Sequence, residues 1–320
     1  MRDLLACPSC SGDLTARWSC SSCGCQYRVE DDIPDLRLSV APRVEVVRKF
    51  YEAAPFPGYP PNDSLTWLRA RAERNRFAQL LDRSIPGDAR IVEIGCGTGQ
   101  MSLYLARAER VVVGADITRA SLQLAAEAAR RFDMSWVQFV ETDLLQPGLR
   151  DGAFDIVYAA GVLHHLPDPL AGFARIARLA RPGGKIIVGL YNRYARLPLR
   201  LRRLVARMTR YRYIPFDPVL ADRRAEPERR RAWLRDQYQH PEEHRHTVRE
   251  VQRWFAENGV RYLRCYPSAT IGDEPDDLFS ASEDNWQLEA WLAQIGWMST
   301  IGKEGGLFMM IGEREAPGSS

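Results

Sequence analysis

The chain has 320 residues, 45% hydrophobic and 27% charged, with 44 Lys and Arg against 41 Asp and Glu, a net charge of +3. That length holds one α/β domain plus additions, at roughly 100 to 200 residues per domain, and the balanced charge does not call for a polyanionic partner. No run approaches the ~18 apolar residues of a membrane span, and Met1 to Cys10 lacks a signal-peptide core, so a cytoplasmic location is expected.

Residues 1–38 open with Cys7-x2-Cys10 and Cys20-x2-Cys23, two knuckles separated by nine residues. Thiolates so spaced close a tetrahedral zinc site. Four cysteines leave no open coordination position, so the zinc is expected to be structural. A segment of roughly 36 residues is too short to fold on apolar burial alone, and metal binding supplies the missing free energy. Disulfides would need an oxidising compartment. Cys25 is left over, because the second knuckle is complete with Cys20 and Cys23. The following stretch, Tyr27 to Leu36, resembles the small zinc ribbons of methyltransferase activator subunits, which also occur fused to bacterial methyltransferases. That resemblance implies a contact role: docking on a catalytic domain or holding a macromolecular substrate.

Residues 39–88 read as a connecting segment. Pro55, Pro57, Pro60 and Pro61 rule out a continuous helix over Phe50 to Pro61, and Leu65 to Ser84 reads as one amphipathic helix feeding the first strand. Apolar residues then lead into Gly95-x-Gly97-x-Gly99, followed by a helix over Gln100 to Arg107. Glycines at a strand's carboxyl end let the backbone pass beneath a ligand, and Gly99 lets helix pack on strand. Asp116 ends the next strand about 20 residues on, where a carboxylate accepts from both ribose hydroxyls. A third strand, Val137 to Val140, runs into Glu141-Thr142-Asp143-Leu144 and places Asp143 to receive an adenine amino group. Strands at Phe154 to Ala159 and, after Arg181-Pro182-Gly183-Gly184-Lys185, at Ile186 to Leu190 complete the series.

In this order the motifs between Arg90 and Tyr191 resemble class I S-adenosylmethionine-dependent methyltransferases. The resemblance implies a Rossmann-like, doubly wound α/β sheet of seven strands over 89–320, with the small zinc ribbon in front. It implies S-adenosylmethionine held by Glu93, Gly95, Gly97, Gly99, Asp116, Ile117, Asp143, Leu144 and Ala160. It also implies that the segment before the first strand covers the cofactor, with Tyr51, Phe56 and Tyr59 as lid residues.

All five histidines lie in two stretches. His164 and His165 follow the fourth strand, where substrates sit in open α/β sheets. His240, His244 and His246 precede a helix whose Thr247 and Glu250 fit a capping box, with Val251, Trp254 and Phe255 as its buried face. A metal site using these three with Glu243 is disfavoured by Pro241, which breaks the helical spacing. His164 is the expected general base and His240 the second, with the grouping pointing to a shared pocket rimmed by Tyr191, Asn192 and Arg193. Residues 193–246 form an arginine-rich insertion, and Leu197 to Met208 is a basic amphipathic helix suited to RNA phosphates, an anionic membrane or ordinary packing. Val260 to Pro267 and Gly306 to Gly312 are the closing strands, Trp286 to Trp297 a helix, and Glu313 to Ser320 a frayed end.

The leading expectation is methyl transfer to a small organic acceptor of quinone, lipid-like or natural-product type. The alternatives are an RNA methyltransferase gripping its substrate with ribbon and insertion, against which stands the lack of an Asn-Pro-Pro-Tyr-type motif, and a non-catalytic cofactor-binding module. Nothing in the sequence sets an oligomeric state.

Overall fold

Alternating Val and Ile along each central segment bury both faces of a sheet, and that pattern organises the molecule. The computed structural model describes residues 1–38, 42–52, 55, 57–222, 227–239, 243–270, 272–282 and 287–316. A ribbon hairpin pairs β1 (Val29–Glu30) with β2 (Ile33–Pro34). The main sheet comprises β3 (Arg90–Ile94), β4 (Val111–Asp116), β5 (Val137–Glu141), β6 (Phe154–Ala160), β7 (Ala180–Tyr191), β8 (Val260–Tyr266) and β9 (Leu307–Arg314), in the order β5-β4-β3-β6-β7-β9-β8. The strands from β5 to β7 are parallel, and β9 runs antiparallel between β7 and β8. This is the expected seven-stranded, Rossmann-like methyltransferase fold.

Eleven helices fill the connections among the described residues: α1 (Pro42–Glu52), α2 (Leu65–Ala72), α3 (Arg76–Ser84), α4 (Gln100–Leu105), α5 (Arg119–Arg131), α6 (Pro169–Ala177), α7 (Leu197–Met208), α8 (Pro218–Ala221), α9 (Pro227–Gln239), α10 (Val248–Glu257) and α11 (Gln287–Gly296). None is long and apolar enough to cross a membrane. Period-two alternation divides the core. Val92, Val113, Ile186 and Val188 meet Phe173 and Phe255 on one face. Ile91, Val112 and Ile187 meet Phe77, Leu103 and Leu122 on the other.

The ribbon lies against the sheet's β5 edge. Leu4, Leu5 and Leu36 are fully buried within the same core as β3 and β6. Leu5 bridges Leu149, Asp35 bridges Glu141, and the Leu36 N–H donates to the Glu141 carbonyl at 2.8 Å. Arg119 of α5 reaches the Glu30 carbonyl at 2.7 Å and the Ile33 carbonyl at 3.1 Å.

Two expectations are corrected in this frame. The single helix over 65–84 is two, because Asn75 caps α3 by accepting from the Ala78 N–H at 3.2 Å, and a side chain that satisfies a first-turn donor starts a helix anew. The prolines do exclude a continuous helix over Phe50 to Pro61, since α1 ends at Glu52. The end at Glu313 is not frayed: β9 continues through Arg314, where Glu313 pairs with Lys185 and, at 2.9 Å, with Arg261.

Candidate active site

Strand order reverses between β3 and β6, and parallel sheets leave a crevice beyond the carboxyl ends at such a point. A cavity of about 220 Å³ occupies it. Gly97 lines the cavity with φ +52°, in the left-handed region that favours glycine. A Cβ on Gly99, φ +76°, would lie 2.8 Å from Ala125 and Phe139, so only glycine lets α4 start this close to α5 and β5.

Asp116 ties the turn to β4. Its carboxylate accepts from the Gly97 N–H at 2.8 Å and the Thr118 N–H at 2.7 Å. A carboxylate has about four acceptor positions, so capacity remains toward the cavity that Asp116 lines. Burial raises its pKa despite these backbone donors. Ile117, Asp143 and Leu144 line the same cavity, and Asp143 is fixed by accepting from the Leu145 N–H at 2.9 Å. Glu93, Gly99 and Ala160 are not on its wall. Glu93 lies beneath the turn, bonded to the Ser102 hydroxyl, and burial pushes its pKa up to about 7.

Several lining groups escaped the sequence reading. Thr118, Ser121 and Thr142 contribute hydroxyls. Adjacency to the acidic strand ends was the available signal for Thr118 and Thr142. Thr142 also donates to the Leu36 carbonyl of the ribbon at 3.3 Å. Tyr51 and Pro55 close the cavity from the connecting segment, as the lid expectation placed Tyr51. Tyr59 instead sits beside the glycine turn and donates to the Thr98 carbonyl at 2.7 Å. Phe56 lies outside the described residues.

The histidine pair divides. His165 lines the cavity, whereas His164 is fully buried behind it, its ring stacked on Tyr191 at 3.8 Å. The two imidazoles meet edge to face at 4.2 Å. The second histidine stretch docks on the first through its backbone, since the His244 N–H donates to the His164 carbonyl at 2.8 Å. His246 turns away, bonding Glu250 at 2.8 Å and packing on Trp254. His240 lies outside the described residues. Glu243, the carboxylate of the disfavoured metal reading, is held by Arg196 at 2.7 Å and Arg203 at 2.5 Å. Of the predicted rim, Tyr191 and Asn192 are buried; Asn192 accepts from the Tyr194 and Ala195 N–H groups at 3.0 Å and so shapes the entry to α7.

At the ribbon, the sulfurs of Cys7, Cys10, Cys20 and Cys23 all lie within 4.8 Å of one another. Cys7 and Cys23 are 3.6 Å apart, Cys10 and Cys20 3.4 Å. A tetrahedral ion with Zn–S bonds of about 2.3 Å needs sulfurs about 3.8 Å apart, so the quartet fits zinc. Among the described residues it is the group with metal-ligand spacing.

Residues 92–188 match the family model described as "Methyltransferase domain". The chain is 29% identical over 286 residues to an uncharacterized protein of Synechococcus sp., covering 77% of this chain and 66% of that one. It is 33% identical over 135 residues to 27-O-demethylrifamycin SV methyltransferase of Amycolatopsis mediterranei, covering 41% and 49%. The aligned part thus spans about two thirds of the first relative and about half of the second. The structure resembles geranyl diphosphate C-methyltransferase from Streptomyces coelicolor A3(2) with a TM-score of 0.50 and 15% identity, covering 87% of this chain and 100% of that one, a likeness of fold. The chain therefore carries a methyltransferase domain at residues 92–188, set in the seven-stranded Rossmann-like methyltransferase fold.

Proposed function

We propose that the protein transfers a methyl group from S-adenosylmethionine to a small organic acceptor. One observation carries the reading: a single cavity at the switch point is lined by Asp116, Asp143, the Gly97 backbone and the His165 imidazole. Asp116 receives the ribose hydroxyls, Asp143 the adenine amino group, and Ile117 and Leu144 face the base. The cofactor, when bound, supplies a sulfonium-activated methyl. The chain's own residues then align the acceptor and exclude water, a proximity effect worth several kcal/mol.

His165 takes the acceptor's proton, contributing about 10² to 10⁴ in rate where the nucleophile is a hydroxyl, phenol or acidic carbon. His164, wedged between His165 and Tyr191, is the positioning residue, which moves the base one position from the sequence expectation. Zinc in the four-cysteine cluster folds the ribbon, and the ribbon braces the adenine side of the cavity through Leu36 and Thr142. A ribbon whose leucines are part of the core is a wall of this domain, which supports a small acceptor over RNA gripped by a free ribbon. The rifamycin-tailoring relative supports the same acceptor class.

The test is incubation with methyl-labelled S-adenosylmethionine and a panel of quinols, phenols and polyketide alcohols. Label is expected in an organic product, insensitive to nuclease, and reduced roughly a hundredfold or more in His165→Ala. Label found in RNA, or in no acceptor despite cofactor binding, contradicts the reading.

A further inference from the structure

Helix α7 has two apolar faces, and only one is used. Leu199 and Ala206 are buried against Tyr238. On the opposite side Leu197, Leu201, Leu204 and Met208 are 39%, 69%, 59% and 77% exposed. Their spacing of four, three and four residues places them in one stripe along the helix, turned away from the core. The apolar surface continues past the helix to Tyr213 and Phe216, 58% and 89% exposed. Seven of the fourteen large apolar side chains exposed among the described residues fall between 197 and 216, so this is a patch and not the scatter normal to a protein surface.

Charge identifies what the patch fits. Between Arg193 and Phe216 the chain has eight arginines and no aspartate or glutamate. Arg196 and Arg203 are committed to Glu243, and Arg193 faces Glu250. Arg200 and Arg207 are exposed along one flank of the stripe, and Arg210 and Arg212 follow its end. No ion pair engages these four among the described residues. An apolar stripe bordered by arginines matches the acyl and headgroup layers of an anionic bilayer. RNA would be met by the arginines but would leave the leucines in water. A second copy of the chain would bring the same positive charges against each other.

We propose that α7 and the segment to Phe216 dock this protein on an anionic membrane surface, with the stripe lying in the interface and the arginines among the headgroups. The helix begins six residues after the carboxyl end of β7, so docking presents the cavity side of the sheet to the membrane. The inference stands apart from the methyl-transfer reading and is tested without activity.

The experiment is cosedimentation of the full chain with vesicles of equimolar phosphatidylglycerol and phosphatidylcholine, and with phosphatidylcholine alone. Wild type should bind the anionic vesicles and release on the neutral ones. Combined Leu201→Ser, Leu204→Ser and Met208→Ser should weaken anionic binding roughly tenfold or more, and Arg200→Gln with Arg207→Gln should weaken it and flatten its salt dependence. Unchanged thermal melting of the variants confirms that folding is intact; the lipid-charge comparison on wild type stands without them. Failure of wild type to bind anionic vesicles overturns the proposal. So does equal binding to both vesicle types, RNA binding lost only with the arginines, or a wild-type dimer that the serine variant converts to monomer without vesicle binding.

Discussion

The two additions to the sheet are fastened by similar devices and used in opposite directions. At the ribbon, Glu141 of β5 is gripped by Arg37 at 2.7 Å and by Arg119 at 3.1 Å, which ties the ribbon to the core. At the insertion, Glu243 is gripped by Arg196 and Arg203, which ties the end of the insertion to its beginning. Arg196 is 1% exposed, bonds Gln237 and the Gly305 carbonyl, and lies 3.5 Å over the Tyr191 ring. The apolar balance is what differs. The ribbon turns its leucines inward and becomes part of the domain core behind the cavity residue Thr142, while the insertion keeps a second apolar face outside. An ion-pair clamp therefore says that an element is held in place, and the direction of its apolar side chains says what it is held for.

The largest effect that would break this contrast is loss of metal. Chelation, or Cys20→Ser, should lower bound zinc from one per chain, abolish amide-exchange protection through residues 1–38 and leave β3 and β6 protected, because structural zinc contributes about 10 kcal/mol or more to folding such segments. Cofactor affinity should fall with it, since Leu36 and Thr142 lose each other. Survival of ribbon protection without zinc would show that docking alone folds it. Next in size, Arg196→Ala should cost about 3–5 kcal/mol in a denaturant melt, because a buried carboxylate loses its better partner. A cost no larger than that of an exposed arginine would mean the insertion is not clamped.

The two glutamates sharpen the contrast through pH. Burial raises the Glu141 pKa more than Arg37 and Arg119 lower it, and Asp35 adds to the rise. Burial also pushes on Glu243, but Arg196 and Arg203 outweigh it and the net pKa is lowered. For Glu141 the unfolded state ionises first as pH rises, so its contribution is lost as pH climbs through the folded pKa. For Glu243 the contribution is present above the ordinary carboxylate range and lost as pH falls through the folded pKa. Thermal melts of Glu141→Gln and Glu243→Gln against wild type, from acid to neutral pH, should give difference curves of opposite slope. Parallel curves would remove the distinction. The smallest effect is at the cap of α10, where Thr247→Ala should cost about 1 kcal/mol by urea unfolding, since Thr247 accepts from the Glu250 N–H at 3.2 Å.

The parts of the molecule legible in sequence were those whose chemistry is local. Glycine spacing, the acids at the ends of β4 and β5, and the cysteine knuckles each carry their reason within a few residues. That His165 lines the cavity while His164 is buried behind it was not legible, because a single 3-10 turn over Leu163–His165 sends neighbouring side chains in directions that spacing does not encode. Helix α1 and the Tyr51 hydroxyl's bond to Asp236 at 3.2 Å, across 185 positions, depend on packing that no local pattern announces. Glu141 read as the first residue after the third strand, two before Asp143; its role as the ribbon's anchor needed Arg37 and Arg119 brought to it.

The central claim is that the cavity at the switch point binds S-adenosylmethionine through Asp116. Calorimetric titration of zinc-replete wild type and Asp116→Ala tests it most directly. The account predicts one site per wild-type chain and an affinity roughly a hundredfold weaker in the variant, as expected for losing hydrogen bonds from two hydroxyls to a charged acceptor. Folded wild type that takes up no cofactor, or Asp116→Ala binding as tightly as wild type, would contradict it.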